Sequence, residues 1–364
     1  MIKKIKVLGV FEPGFIPRGG AEIHVIELFT LLKNFVDFEI ISVDSNYKEL
    51  IQYLEKLEID YFFDKKKIIY FYREIKITIF IVSSIEEGIN NLNNFINKNK
   101  PDIFYSFFIR LLCYKVFINF DIPVIYFAYL GIIKPWTIGD NEVLNYILKQ
   151  KYIYVSSKFM INYFDKTWNK NVLLFTEFIN KENYLPKDYY EGEKYITFIN
   201  PIKEKGLNIF LKIANIMKDK FFLVIGSWSI DDEYKKNVEL LKKISNVIVY
   251  NPSCDMSKIY QKTKILLMPS IQEEGFGRVI IEACMNKIPV IASNRGAIPE
   301  ILNNKGIIID IDKNNLYDWI NSINEVENNY SIFSEKAFEN YLFYEKKLYN
   351  QIDEFKKLIL SLTK

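Results

Sequence analysis

Short β-rich runs alternate with helical runs twice along this chain, and that repeated alternation limits the fold more than any other feature. KIKVLGV (4–10) is β-rich and runs into the turn-rich EPGFIPRGG. AEIHVIELFTLLKNF (21–35) then carries apolar residues at helical spacing, with Glu22 in its first turn where the helix dipole favours an acid. DFEIISV (37–43) reads as the next strand. Strand, glycine loop, helix and strand make a βαβ unit, the piece from which parallel sheets are built. KKIIYFY (66–72) and KITIFIV (76–82) read as strands joined by a tight turn at Arg73–Glu74. GINNLNNFINKNK (88–100) reads as a helix stopped before Pro101, and DIFYSFF, PVIYFAY and KYIYVSS (151–157) as further strands.

Residues 179–195 are polar and lack periodicity, as a linker does. The alternation then restarts. YITFIN (195–200) is a strand, 206–219 a helix, FFLVIGS (221–227) a strand and 232–245 a helix. NVIVYN, KILLMPS, the helix GRVIIEACMNK, PVIAS and GIIIDI continue the series, and the tail from about 333 to 362 is helical. The expected architecture is two successive α/β domains, each on a mostly parallel sheet. Their expected bounds are 1–180, a linker at 181–194, 195–335, and a C-terminal helix at 336–364. A chain of 364 residues is long for one core, which agrees with two.

Composition removes several function classes. A net charge of +3 with no concentrated basic stripe gives no nucleic-acid footprint. The 25 Tyr and 29 Phe accompany abundant Lys, Ile and Asn, so they read as compositional bias and core rather than as a binding platform. Cys113, Cys254 and Cys284 are odd in number, far apart and form no CxxC, which points to a reducing compartment and away from a disulfide scaffold or structural zinc. His24 is the single histidine, and its place four residues after Gly20 reads as a helix face rather than a site. A histidine metal centre is therefore excluded, and so is any Ser–His–Asp set not built on His24. Apolar stretches such as VIYFAYLGII (124–133) fall short of the roughly 18 residues that a spanning helix needs, so a cytoplasmic protein is expected, with contact at a membrane surface left open.

Ligands of parallel sheets gather at the carboxyl ends of the strands, where helix N-termini offer unpaired amides to anions. PGFIPRGGAE (13–22) and PSIQEEGFGRVIIE (269–282) are glycine loops at such places, one per expected domain. The plain alternative is that these glycines only make turns. GFIPRGG ends Gly-Gly rather than Gly-Lys-Ser/Thr, and no GxGxxG follows the first strand, which argues against P-loop and dinucleotide chemistry. In the second loop Glu274 and Glu282 bracket Gly275 and Gly277. A carboxylate accepts two hydroxyl hydrogen bonds and so suits neighbouring hydroxyls of a sugar. One glutamate for a sugar, one for a ribose and glycine amides for phosphates would together describe a nucleotide sugar. Two ordinary surface glutamates are the competing reading.

PSIQEEGFGRVIIEACMNKIPVIASNRGAIPE resembles the signature of family 4 retaining glycosyltransferases over its whole length, including Gly296, Pro299 and Glu300. RGGAEIHVIEL resembles that family's N-terminal glycine loop, INPIKEKG (199–206) its basic donor-site segment, VIGS (224–227) its glycine-ended strand, and VSSKF (155–159) the last strand of its first domain. The resemblance implies the GT-B fold: α/β, two Rossmann-like domains with the active site in a cleft between them. It implies that Glu274 binds the donor sugar's hydroxyls and Glu282 the ribose. The amides of Gly275, Phe276 and Gly277 would meet phosphates or sugar, with Gly19 and Gly20 opposing them, and Lys205 would neutralise the departing diphosphate. Asn200 stands where the family usually has arginine, and Arg278 or Lys203 could supply the compensating charge. Many members place a histidine after a strand like PVIYFAY; here Tyr126, Tyr129 or a main-chain carbonyl would substitute. The C-terminal helix would return to the first domain.

The implied reaction is transfer of a sugar from a nucleoside diphosphate sugar to an acceptor hydroxyl, of hexosyltransferase type and with retained anomeric configuration, in glycan or glycoconjugate synthesis. No cofactor is expected, and no metal either: DID (310–312) lies downstream of the donor loop, and the resemblance implies a family that works without an essential metal. Retaining hydrolases use two carboxylates about 5 Å apart. No second carboxylate is evident as a nucleophile here, and the resemblance implies same-face attack assisted by the leaving diphosphate. Expected partners are the donor and a glycan, lipid-linked or small-molecule acceptor. Two alternatives remain: a catalytically impaired module that binds a nucleotide or glycan, and an epimerase, which lacks the necessary acid/base side chains.

Overall fold

The computed structural model describes residues 4–107, 109–130, 141–188, 192, 194–226, 232–252, 255–313 and 315–363. Cys254, Ser227, residues 131–133 of the apolar stretch and parts of the expected linker lie outside the described residues. The chain divides into two compact units, one of residues 1–156, 160–178 and 349–364, the other of residues 157–159 and 179–348.

The first unit holds strands β1 (Ile5–Phe11), β2 (Val36–Asp44), β3 (Tyr61–Phe63), β4 (Lys67–Tyr72), β5 (Ile75–Ile81), β6 (Ile103–Ser106), β7 (Val124–Ala128), β8 (Tyr152–Val155) and β9 (Leu173–Leu174). They form one sheet in the order β3-β4-β5-β2-β1-β6-β7-β8-β9. The central strands pair in parallel and are buried on both faces, as their near-continuous apolar runs require. The β4–β5 turn falls at Arg73–Glu74 as expected, with both residues at positive φ (46° and 69°), and the hairpin it makes is antiparallel. The C-terminal segment packs within this unit. Gln351 Oε1 accepts from the Thr176 amide at 3.0 Å, and the ring of Phe355 lies 5.2 Å from that of Phe175.

The second unit holds β10 (Tyr195–Ile199), β11 (Phe222–Ile225), β12 (Val247–Tyr250), β13 (Thr263–Met268), β14 (Val290–Ser293) and β15 (Ile307–Ile309), all parallel. Their order is β12-β11-β10-β13-β14-β15. Numbered from the first strand of the unit this is 3-2-1-4-5-6, the doubly wound arrangement. Strand order reverses between β10 and β13, the place where doubly wound sheets take ligands at the carboxyl ends of their strands. Phe198, Phe210, Phe222, Ile291 and Trp319 are among the buried side chains that fill the layer between sheet and helices.

Candidate functional site

The carboxyl ends of β10 and β13 bring together residues far apart in sequence. After β10 the chain makes a short 3-10 turn, Lys203–Lys205, which ends on Gly206 at φ 89°. A side chain at Gly206 would put its Cβ 1.9 Å from the carbonyl oxygen of Pro269, so only glycine fits against the loop after β13. The amides of Ile271 and Gln272 donate to the carbonyl of Glu204 at 2.9 and 3.2 Å, pinning the two loops to each other. Lys205 Nζ is thereby placed 2.5 Å from Glu274 Oε1. Ser270 Oγ donates to the same oxygen at 2.9 Å, and Ser293 Oγ donates to the Ser270 carbonyl at 2.6 Å.

The backbone of Glu274 is held from its other side. Gly296, at φ 58°, lies so close that a Cβ there would be 2.3 Å from the Glu274 carbonyl oxygen, which also accepts from the Ala297 amide at 2.8 Å. Gly277, at φ 87°, starts the helix Arg278–Met285 with no side-chain cap. The Phe276 side chain is buried, 6.2 Å ring to ring from Tyr344, so only its backbone is available to a ligand. Ser157 Oγ donates to the Gly275 carbonyl at 2.7 Å. Glu300 accepts from the amides of Lys158 and Phe159 at 3.0 and 3.2 Å, the same three-residue segment that clusters with this unit.

Glu282 sits one turn beyond Arg278 on the helix and is buried. Tyr260 Oη donates to its Oε2 at 2.6 Å, and Arg278 Nε is 3.6 Å from its Oε1. Burial, followed by the neighbouring Glu282 charge, pushes the Tyr260 phenol far up. The Arg278 side chain is itself buried and turns to Tyr184 Oη at 3.2 Å as well as to Glu282. Sequence reasoning gave no role to Ser270, Tyr260 or Tyr184; the Pro-Ser pair of the motif was a signal for Ser270, while the two tyrosines carry no local signal. Asn200 adopts φ 66°, a left-handed conformation that asparagine tolerates far better than arginine, and its amide donates to the Ile225 carbonyl at 2.9 Å.

In the first unit the glycine loop follows β1. Gly19 is the N-cap of the helix Gly20–Leu31 and provides no side-chain cap. The Glu22 carboxylate turns back onto the Gly19 and Glu22 amides, yet burial outweighs these bonds and the nearby Arg18 and raises its pKa. Glu12 accepts from the Cys113 amide at 3.4 Å, and burial raises its pKa too. His24 is fully buried, with Nδ1 2.5 Å from Tyr129 Oη and its ring edge-on to Phe127 at 4.7 Å. Tyr126 is buried in the sheet. Among the described residues no group of three or more His, Cys, Asp or Glu could hold a metal ion, and no helix is long and apolar enough to cross a membrane.

Residues 181–341 match the family described as glycosyl transferases group 1. A curated relative, an uncharacterized 42.6 kDa protein in the cps region of Klebsiella pneumoniae, is 32% identical over 111 residues, 29% of this chain and 28% of that one. The match thus spans under a third of the relative's length. A glycosyltransferase from Rickettsia africae ESF-5 is similar with a TM-score of 0.74 at 18% identity, over 99% of both chains. Alr3699/HepE of Anabaena, solved in complex with UDP and glucose, is similar with a TM-score of 0.74 at 14% identity, over 98% of this chain and 100% of that one. A variant of S. aureus TarM, in complex with Fondaparinux, alpha-GlcNAc-glycerol and UDP, gives 0.63 at 14% identity over 98% of both chains. The expected fold class is thereby established: α/β, of GT-B type, with two Rossmann-like units.

Proposed function

We propose that this chain is a retaining, family 4 type glycosyltransferase that moves a sugar from a nucleoside diphosphate sugar to an acceptor hydroxyl of a glycan or glycoconjugate. The observation that carries this is the convergence of Lys205 and Glu274 at 2.5 Å at the point where strand order reverses. A cation for a leaving diphosphate and a carboxylate for sugar hydroxyls then stand together, beside the Gly275–Gly277 backbone. Glu282, buried one helical step away, is the ribose ligand in this reading. Arg278 acts through Glu282, holding its carboxylate, rather than on phosphate. Gly19 and Gly20 offer a second glycine backbone in their own unit. Lys205 and amide dipoles stabilise the leaving group without a metal. The match of residues 181–341 to glycosyl transferases group 1, and a structural relative solved with UDP and glucose, support the donor class. The acceptor would be glycan-like, lipid-linked or small, and a cytoplasmic setting follows from the cysteine pattern.

The test is incubation with UDP-, GDP-, ADP- and dTDP-sugars, following release of nucleoside diphosphate and the anomer of the product by NMR. Retention with one donor is expected, and Glu274→Ala should cut turnover by about 100-fold or more. An inverted product would overturn the retaining mechanism. A second reading, a binding module without turnover, rests on Asn200 in place of a cation; donor binding with no release or transfer would favour it.

A further inference from the structure

We infer that Glu274 competes with the donor's diphosphate for Lys205, and that this competition makes the site prefer a nucleotide sugar over the bare nucleoside diphosphate. The inference deepens the proposed function and rests on it. Lys205 Nζ lies 2.5 Å from Glu274 Oε1, with the two side chains only 23% and 11% exposed. The same oxygen accepts from the Ser270 hydroxyl at 2.9 Å. Neither loop has room to withdraw. Gly206 is pressed on the Pro269 carbonyl, Gly296 on the Glu274 backbone, and Ile271 is bonded to Glu204.

A diphosphate can reach the Lys205 charge only by sharing or breaking this pair. When the ligand has no sugar, Glu274 is left as a largely buried carboxylate holding one hydroxyl, and losing a charged partner in such a place is costly. When the ligand carries a sugar, its hydroxyls replace the lysine as donors to the carboxylate, and that cost is offset. The same pair that receives the substrate thus opposes retention of the spent nucleotide. Glu274 is a specificity-determining residue that acts before and after the chemistry, and Lys205 is the group through which it acts.

The experiment is calorimetric titration of the full chain with UDP, GDP, ADP and dTDP and their glucose conjugates, for wild type, Glu274→Gln, Lys205→Met and the double variant. With the nucleotide that binds wild type, Glu274→Gln should tighten the bare diphosphate by roughly tenfold and leave the nucleotide sugar no tighter. In the Lys205→Met background the same change should alter diphosphate affinity by less than about twofold, because the effect is routed through the lysine. Glu274→Asp, which shortens the carboxylate arm by one methylene, should tighten the diphosphate by an intermediate factor and guards against a poorly folded glutamine variant. Unchanged or weaker diphosphate binding in Glu274→Gln overturns the inference. Equal tightening without Lys205 overturns it too, since simple repulsion between carboxylate and phosphate would then suffice. Should wild type bind no nucleotide of the panel, the proposed function fails and the inference falls with it.

Discussion

The carboxyl ends of the two sheets carry glycine loops of similar composition and treat them differently. Two glycines that flank the loop after β13 meet its backbone: Gly206, after β10, faces the Pro269 carbonyl, and Gly296, after β14, the Glu274 carbonyl. After β1 they meet the tips of side chains: a Cβ at Gly14 would lie 2.4 Å from Asp44 Oδ2, and one at Gly19 2.4 Å from Glu22 Oε2. Several acids differ as well, apart from Asp64 of the first unit, where amide bonds outweigh burial, and Glu87, which the Ser83 amide and hydroxyl lower. In the first unit burial raises Glu12, Glu22 and Asp44. In the second, bonded cations hold acids down: Arg295 lowers Asp312, Lys305 lowers Glu339, and on Glu327 burial is outweighed by Lys220 and Lys264. The second site is built of backbone held in place and the Lys205–Glu274 pair, as a site for one constant ligand needs to be. The first sets its glycines against the carboxylates of Asp44 and Glu22.

The sharpest way to break this contrast is substitution of the glycines. Gly206→Ala must displace backbone and adopt a left-handed conformation, so it should destabilise the second unit by about 3 kcal/mol or more, whereas Gly14→Ala should cost no more than about 1 kcal/mol. Urea unfolding followed by segment-resolved proteolysis reads both, and equal costs would erase the distinction. Next in size, Glu282→Ala removes the carboxylate that Tyr260 and Arg278 hold, and roughly 3 kcal/mol should be lost, with Tyr260→Phe nearer 1 kcal/mol.

Acid should move these two sets of carboxyls in opposite directions. Carboxyls raised by folding contribute stability that is full below their unfolded pKa, near 4, and lost as pH rises through the folded value. Carboxyls lowered by folding contribute stability that is present above about 4 and lost as pH falls through the folded value. Between pH 5 and 3, hydrogen exchange corrected for its intrinsic rate should therefore show protection falling around Glu327 and Asp312 and holding or rising around Glu12 and Asp44. Parallel loss in both would count against the assignment of causes. The smallest effect concerns thiols. Burial pushes Cys284 up to about 12 and Cys113 well above its usual value, so neither should react with iodoacetamide in the folded protein at neutral pH, and both should in urea.

The core strands were legible because buried parallel strands read as unbroken apolar runs, and the strands read at 4–10, 195–200 and 289–293 match β1, β10 and β14, whereas the short β3 and β9 were not read. The first helix reads too long. Apolar Leu32 and Phe35 prolong its periodicity, but the chain leaves the helix at Leu31 and turns, with the Val36 amide closing on Leu32. Helices such as Ser257–Lys262 and Ile298–Leu302, of 6 and 5 residues, are too short for a period to show. The loop around Glu274 was legible because its chemistry is local in sequence. What escaped was long-range pairing: Lys205 and Glu274 are 69 residues apart, and the turn of Arg278 toward Tyr184, 94 residues away, has no local trace.

The most direct test of the account is a thermal-shift screen of the full chain against UDP, GDP, ADP, dTDP and their common sugars, with Glu282→Ala alongside. A ligand at 100 times its dissociation constant adds about 2.7 kcal/mol of stability, enough to read. The account predicts that one nucleotide family raises the midpoint of the wild type and leaves that of Glu282→Ala unmoved. No shift with any nucleotide, or an equal shift in the variant, would contradict a donor site after β10 and β13.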